Sequence, residues 1–380
     1  MNQSLRLFTL RGIAVRMHIT FPLILIWAAL QFGLLAGGGW GGALFGMLAT
    51  VILFGIVVLH EFGHSFAAQH YGIEVKQIVI LPIGGVAQIA EIPEDPKKEF
   101  VIAIAGPAVN FILAAVLSGV LLVSGVDLRL SGLPDMLFNL QWMGIGALLG
   151  YVFAANLLLG LFNLLPAFPM DGGRILRAFL ATRMAYPVAT ATAAGIGQGL
   201  AFLIGLWAFL RGDFFLVLIA IFIYSGANQE RQMVVTRSIL ADFKVTDAYS
   251  RQAQSLAPGD SLQRAIDLTL AGFQSDFPVC DERGLVGMLT HTRLLDVLSR
   301  HGSNLPVEQA METDFRPLHP DLPLVEAQRI LAESRTDALP VIERGSFVGL
   351  LTQRDLTEVF RLAAFQPERR IVLETVEANL

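Results

Sequence analysis

Hydrophobic positions are spread unevenly along the chain. As far as about Asn228 they run in long stretches with few charges, and beyond it they are interrupted at short spacing by charged residues. About 20 consecutive apolar residues cross a bilayer as a helix. Stretches 18–35, 44–69, 100–123, part of 136–170, 184–210 and 214–224 meet or approach that length, the last being the shortest. Between the second and third lie two short β-type runs, 75–81 and 86–89, around Gly84-Gly85, which predict a hairpin over 75–92. The run from Met136 to Met170 is uncharged for 35 residues, longer than one span, so part of it is a loop or broken helix. It leads into Asn163-Leu-Leu-Pro166-Ala-Phe-Pro169-Met-Asp171-Gly172-Gly173-Arg174, two prolines and two glycines around one acid. Irregular backbone at membrane depth is tolerated where it lines a cavity. Pro107, inside the third stretch beside Gly106 and Asn110, predicts either a kink with close helix packing or a role near a site.

The polar half contains an internal repeat. Phe277-Pro-Val-Cys-Asp-Glu-Arg-Gly-Leu-Val-Gly-Met-Leu-Thr290 aligns with Leu339-Pro-Val-Ile-Glu-Arg-Gly-Ser-Phe-Val-Gly-Leu-Leu-Thr352 at an offset of 62, and the same offset relates Leu256-Ala-Pro258 to Leu318-His-Pro320. Each copy reads helix, strand, glycine turn, strand, helix, so two similar modules packed together are expected. The fold class is therefore a polytopic α-helical membrane domain, with about six transmembrane helices and a small β-hairpin, followed by a soluble α/β pair of modules. The expected boundaries are 1–230 for the membrane domain, 231–244 for a linker, 245–310 and 311–366 for the modules, and 367–380 for a tail.

Composition agrees with this division. Of 380 residues, 54% are hydrophobic and 16% charged, too apolar for a soluble protein of this length. The net charge of −5 and the lack of a long basic block give no sign of a nucleic-acid partner. Cys280 is the sole cysteine, which excludes an intramolecular disulfide and any zinc site built from several cysteines. The first apolar run lacks a small-residue cleavage pattern and reads as a retained helix. Lys and Arg cluster in 1–16, in the Lys76/Lys97/Lys98 loop, in the Arg174/Arg177/Arg183 segment and after Asn228, while the opposite loops hold only Arg129 and Arg211. With six spans, the basic segments all fall on the cytoplasmic side, both termini included.

The chemistry concentrates in His60-Glu61-Phe62-Gly63-His64, which ends the uncharged run 51–59. At helical pitch the two histidines share a face one turn apart and can reach one metal ion. Glu61 sits beside them, where it can take a proton from a water activated there. Ionisable residues in a membrane helix are costly and usually functional. The predicted topology brings Asp171 to the same depth as His60 and His64. Two histidines and a carboxylate leave a fourth position open for water, the arrangement of catalytic zinc.

On these residues, with Gly84-Gly85, Gly106-Pro107 and Asn110, and Asn163-Leu-Leu-Pro166 leading to Met170-Asp171-Gly172-Gly173-Arg174, the span from about Gly12 to Asn228 resembles the site-2 protease family of intramembrane zinc metalloproteases. Met170 departs mildly from the family, where Leu more often precedes the acid, and no insert is large enough for the PDZ domain some relatives carry. The resemblance implies zinc on His60, His64 and Asp171, with Glu61 as general acid/base. It implies that Asn163 either positions the metal site or polarises the substrate carbonyl. It further implies single-span membrane substrates and a prokaryotic inner membrane. Residues 245–364 resemble a CBS pair, which implies an adenine nucleotide in a cleft between modules and dimerisation through them. Thr352 and Asp355 fit the family's phosphate and ribose contacts. In the first copy Thr290 is present, but Arg293 replaces the acid. A metal-bearing but inactive nucleotide sensor, or a CBS-regulated channel, are the rival readings. Intact Glu61 speaks against the first, and polarity gathered at one depth against the second.

Overall fold

The computed structural model describes residues 4–82, 84–89, 94–124, 144–272, 274–334 and 336–364. They form two compact units, one up to Arg231 and one from Gln232 onward.

The first unit opens with β1 (Ser4–Leu10) and β2 (Ile13–His18), which turn at Arg11-Gly12, both with positive φ. β2 pairs in parallel with β3 (Val75–Leu81), and β3 pairs antiparallel with β4 (Gly84–Ile89), giving the sheet order β1-β2-β3-β4. The expected hairpin is thus half of a larger sheet. The basic segment 1–16, given no structure from sequence, supplies the other half, because Ile13 and Val15 bury completely against Ile78, Ile80 and Phe62. β4 ends the sheet as an edge strand.

The helices are α1 (Phe21–Ala29), continued by a π-helical segment Leu30–Leu35, then α2 (Gly39–His70), α3 (Pro96–Val123), α4 (Ile145–Asn163), α5 (Asp171–Ala181), α6 (Tyr186–Arg211) and α7 (Phe214–Leu240). Their ends follow local chemistry. Pro96 opens α3 while the Asp95 carboxylate accepts from the Lys97 and Lys98 amides. Gly212 closes α6 in the left-handed region. Among the described residues, four helices are long and apolar enough to cross a membrane: α2, α3, α4 and α6. The first and last of the expected stretches differ in their bounds from the sequence reading. Strand β2 takes the chain to His18, which leaves the first apolar stretch a short helix over 21–35. The last helix does not stop near Tyr224 but runs to Leu240, into the expected linker and past Glu230, Arg231 and Arg237, so only its first half is strongly apolar. The uncharged run from Met136 is broken as its length required, α4 ending at Asn163 and α5 starting at Asp171. The polar loop expected at 127–135 and the tail 367–380 lie outside the described residues.

Helices α2 and α3 lie backbone to backbone. A Cβ on Gly63 would stand 2.6 Å from the Ala105 carbonyl oxygen, and one on Gly106 would collide with the His60 and His64 rings. Small residues at such crossings let helices approach closely where no hydrophobic effect draws them together.

The second unit holds α8 (Leu262–Leu270), β5 (Phe277–Asp281), β6 (Gly284–Leu289), α9 (His291–His301), α10 (Leu324–Ser334), β7 (Ala338–Glu343), β8 (Ser346–Thr352) and α11 (Gln353–Ala364). The 62-residue offset holds in three dimensions. The bridge Leu256↔Val279 recurs as Leu318↔Val341, and Ser250↔Leu350 recurs as Glu312↔Met288, so each module completes the other's hairpin. The two cores repeat as well: Leu256, Leu262, Ala265, Val279, Leu289 and Leu294 of one match Leu318, Leu324, Ala327, Val341, Leu351 and Leu356 of the other. The end of α7 belongs to this unit, where Val235 and Ile239 pack on Ala363 and Phe360.

Candidate metal centre and comparison with known proteins

Helical pitch on α2 sets His60 and His64 on one face with Nε2 atoms 3.1 Å apart. Asp171, the first residue of α5, brings Oδ2 to 3.2 Å from His60 Nε2 and 3.1 Å from His64 Nε2. All three side chains are buried, and among the described residues they are the one such group of ligand atoms, all within 4.8 Å of one another.

The outer ring nitrogens determine what this group can hold. His64 Nδ1 is 2.7 Å from the Ile102 carbonyl oxygen, which can only accept, so that nitrogen carries the proton. His60 Nδ1 faces Asn110 Oδ1, and the orientation of that amide is itself fixed. Asn156 donates from Nδ2 to the Val152 carbonyl at 2.9 Å, which leaves its Oδ1 to accept from Asn110 Nδ2 at 3.2 Å and turns Asn110 Oδ1 toward His60. With the proton on Nδ1, each imidazole in its neutral form points an Nε2 lone pair at the Asp171 carboxylate oxygen. Three electron-pair donors at this spacing repel unless a cation stands between them. Their separations approach the edge of about 3.3 Å of a tetrahedron with zinc–ligand bonds near 2.0–2.1 Å. The donor set fits zinc, and the Nδ1 hydrogen bonds are the kind of support that fixes ring orientation at metal sites.

Glu61 stands apart from the three. Its Oε2 accepts from the Ala87 amide on β4 at 3.3 Å, and Gly85 passes so close that a Cβ there would be 2.9 Å from Glu61 Cγ. His60 and Glu61 open into a cavity of about 660 Å³ lined mainly by apolar groups, with Gln31, Thr50, Tyr151 and Asn163 as polar exceptions. Asn163 thus shares the cavity, while its Nδ2 donates to the Leu159 carbonyl within its own helix. Asn110, quoted from sequence only as part of a motif, is the partner of His60. Asn156 escaped notice, although an amide in an uncharged apolar run is the signal that finds it.

In the second unit Thr352 and Asp355 line a separate cavity of about 560 Å³ with Ser250, Asp276, Asp337 and Arg354. The Asp355 carboxylate accepts from the Thr352 amide and hydroxyl at 2.8 and 2.7 Å. Thr290 does not line it. Its hydroxyl caps α9 by accepting from the Arg293 amide, and Arg293 Nε donates to the Ala310 carbonyl.

Comparison with known proteins agrees with this architecture. The sequence profile of peptidase family M50 matches residues 48–206, and that of the CBS domain matches 245–300 and 307–362. Zinc metalloprotease MJ0392 of Methanocaldococcus jannaschii is 34% identical over 371 residues, 97% of this chain and 99% of that protein. Stage IV sporulation protein FB of Bacillus subtilis is 30% identical over 185 residues, 48% of this chain and 54% of that one. The solved structure of a site-2 protease from M. jannaschii covers 60% of this chain and 95% of its own, at 40% identity and a TM-score of 0.43. End-to-end similarity to MJ0392 includes both the metal-binding half and the CBS half, and the chain belongs to peptidase family M50, the site-2 proteases, as a membrane-embedded zinc metalloendopeptidase with a C-terminal CBS pair.

Proposed function

We propose that His60, His64 and Asp171 hold one zinc ion, that Glu61 moves the proton, and that the reaction is hydrolysis of peptide bonds within or next to transmembrane segments of single-span membrane proteins. The observation that carries this reading is the convergence of three buried lone-pair donors beside a carboxylate that faces a cavity. Bound zinc supplies Lewis-acid chemistry, polarising a carbonyl and acidifying a water.

The chain's own residues do the rest. Glu61 takes the proton of the attacking water on a carboxylate oxygen and delivers it to the departing amine nitrogen. Asn110 and the Ile102 carbonyl keep both imidazoles in one tautomer. The apolar cavity walls accept a hydrophobic segment and limit bulk water. A substrate helix hides its carbonyls in hydrogen bonds and must unwind before attack. The edge of β4, whose Ala87 amide already points at Glu61, offers the unwound strand backbone partners by β-addition. Asn163, which lines the cavity, either positions the metal site or polarises the substrate carbonyl.

The basic segments support a cytoplasmic side for the termini and the CBS pair. An adenine nucleotide in the Thr352/Asp355 cavity, with dimerisation through the modules, regulates cleavage. The whole reading is tested by reconstituting the protein with a panel of single-span substrates, wild type against Glu61→Gln, with zinc measured in both. Cleavage inside the span by wild type alone, with zinc in both, is expected. A wild type that takes up no zinc after metal loading would refute the ligand set.

A further inference from the structure

Behind the metal-binding loop lies a buried charge cluster with no part in the chemistry described above. Arg177, on α5 six residues beyond Asp171, is almost fully buried. Its Nε donates to Glu99 Oε1 at 2.8 Å and its Nη1 to Glu230 Oε1 at 2.6 Å. Its guanidinium lies 4.9 Å from the ring centroids of both Phe168 and Tyr186. Phe168 sits in the loop 164–170 that delivers Asp171, so Arg177 grips the loop and its helix together. Helix α7 backs the same loop. One turn before Glu230, a Cβ on Gly226 would stand 2.6 Å from Pro169 Cδ. On that face Ile223 packs with Ala167 and Met170, and Ala227 with Phe168.

We propose that Arg177 is a positioning residue for Asp171 and that Glu230 is the tie by which α7 sets its place. The inference rests on the zinc reading above. Four helices meet at Arg177: α3 through Glu99, α5 through its own backbone, α6 through Tyr186 and α7 through Glu230. Through Gly226 and Glu230, the register of α7 against Pro169 and Arg177 bears on where Asp171 stands.

Truncating Arg177 would strand Glu99 as a buried charge and is the wrong test. Glu230 is the informative position, since its loss leaves Arg177 paired with Glu99. The full-length protein in detergent is loaded with zinc and titrated with a chelator, as wild type, Glu230→Ala, Glu230→Gln and Gly226→Ala. The metal-free melting temperature of each is recorded. Loss of a hydrogen-bond partner of a metal ligand lowers metal affinity about 10- to 100-fold, and a tie one contact further back is expected to cost about 10-fold. That loss is expected in Glu230→Ala and in Gly226→Ala, with the visible spectrum of the cobalt-loaded protein shifted. Glu230→Gln, which keeps an acceptor for Arg177, is expected to recover most of it. Unchanged zinc affinity in Glu230→Ala overturns the proposal, and so does a fall in melting temperature alone, which marks a merely structural tie. A wild type that binds no zinc overturns the ligand set itself, a different failure.

Discussion

Replacing Gly106 by Ala should empty the metal centre while leaving the fold standing. The added methyl would lie 2.8 Å from His60 Nε2 and against His64 Nε2 and Cε1. Carbon and nitrogen rest at about 3.5 Å or more, so the His60 ring must retreat by about 0.7 Å. Metal–ligand distances hold within about 0.2 Å, and a displacement several times larger removes an imidazole from the set. The alternative is for α3 to back away from α2, but α3 also carries Asn110 and Ile102, the partners of both Nδ1 atoms, so retreat breaks the supporting bonds instead. By either route zinc affinity should fall at least about 100-fold, near 2.8 kcal/mol at 1.4 kcal/mol per decade. Overpacking costs about 1–3 kcal/mol of stability, which lowers the melting temperature without preventing folding. The assay is zinc per protein after metal loading, followed by chelator titration, with Gly119→Ala as control. Gly119 lies on the same helix, where an added Cβ meets nothing within 4 Å. If Gly106→Ala bound one zinc as tightly as Gly119→Ala, the histidine rings would not stand where the structure puts them.

Asn110→Ala removes the acceptor for His60 Nδ1 and should weaken zinc about 10- to 100-fold, read by the same titration; an unchanged value would mean that the amide does not orient the ring. Ala87→Pro deletes the amide that meets Glu61 on the open edge of β4. It should depress cleavage with zinc retained, and unaltered cleavage would eliminate strand addition there. Asp355→Ala removes the acceptor for the Thr352 amide and hydroxyl and should abolish any rise in melting temperature that AMP or ATP gives the full-length protein. If neither nucleotide shifts wild type, nucleotide sensing by this pair is excluded.

Local patterns carried much of this protein. Residues four apart on a helix share a face whatever surrounds them, so His60 and His64 could be paired from spacing. Uncharged runs of spanning length and the 62-residue repeat are likewise properties of the chain itself, as is the need for a break between Asn163 and Asp171. The places where the reading fell short have a common cause. Strands β1 and β2 offer few signals of their own: β1 leaves Leu5, Leu7, Phe8 and Leu10 largely exposed, and the pair is stabilised by joining a strand some sixty residues later. The first and last helices differ from expectation because their ends are set by what they pack on, a sheet in one case and the CBS unit in the other.

The sequence by itself determined that a His-Glu-Phe-Gly-His pentapeptide, spaced so that both histidines can reach one metal ion, sits in an apolar helix of spanning length ahead of a tandem pair of modules, because each of those features depends on neighbours a few residues away or on direct repetition. Only the tertiary structure decided that Asn110 and Asn156 fix the His60 tautomer, that Ile102 fixes that of His64, and that Arg177 joins four helices behind Asp171. Their hydrogen bonds between helices link residues 38 to 78 positions apart. They depend on how closely the helices approach, which is set by glycines such as Gly63 and Gly106 whose significance lies in the space they leave for another part of the chain.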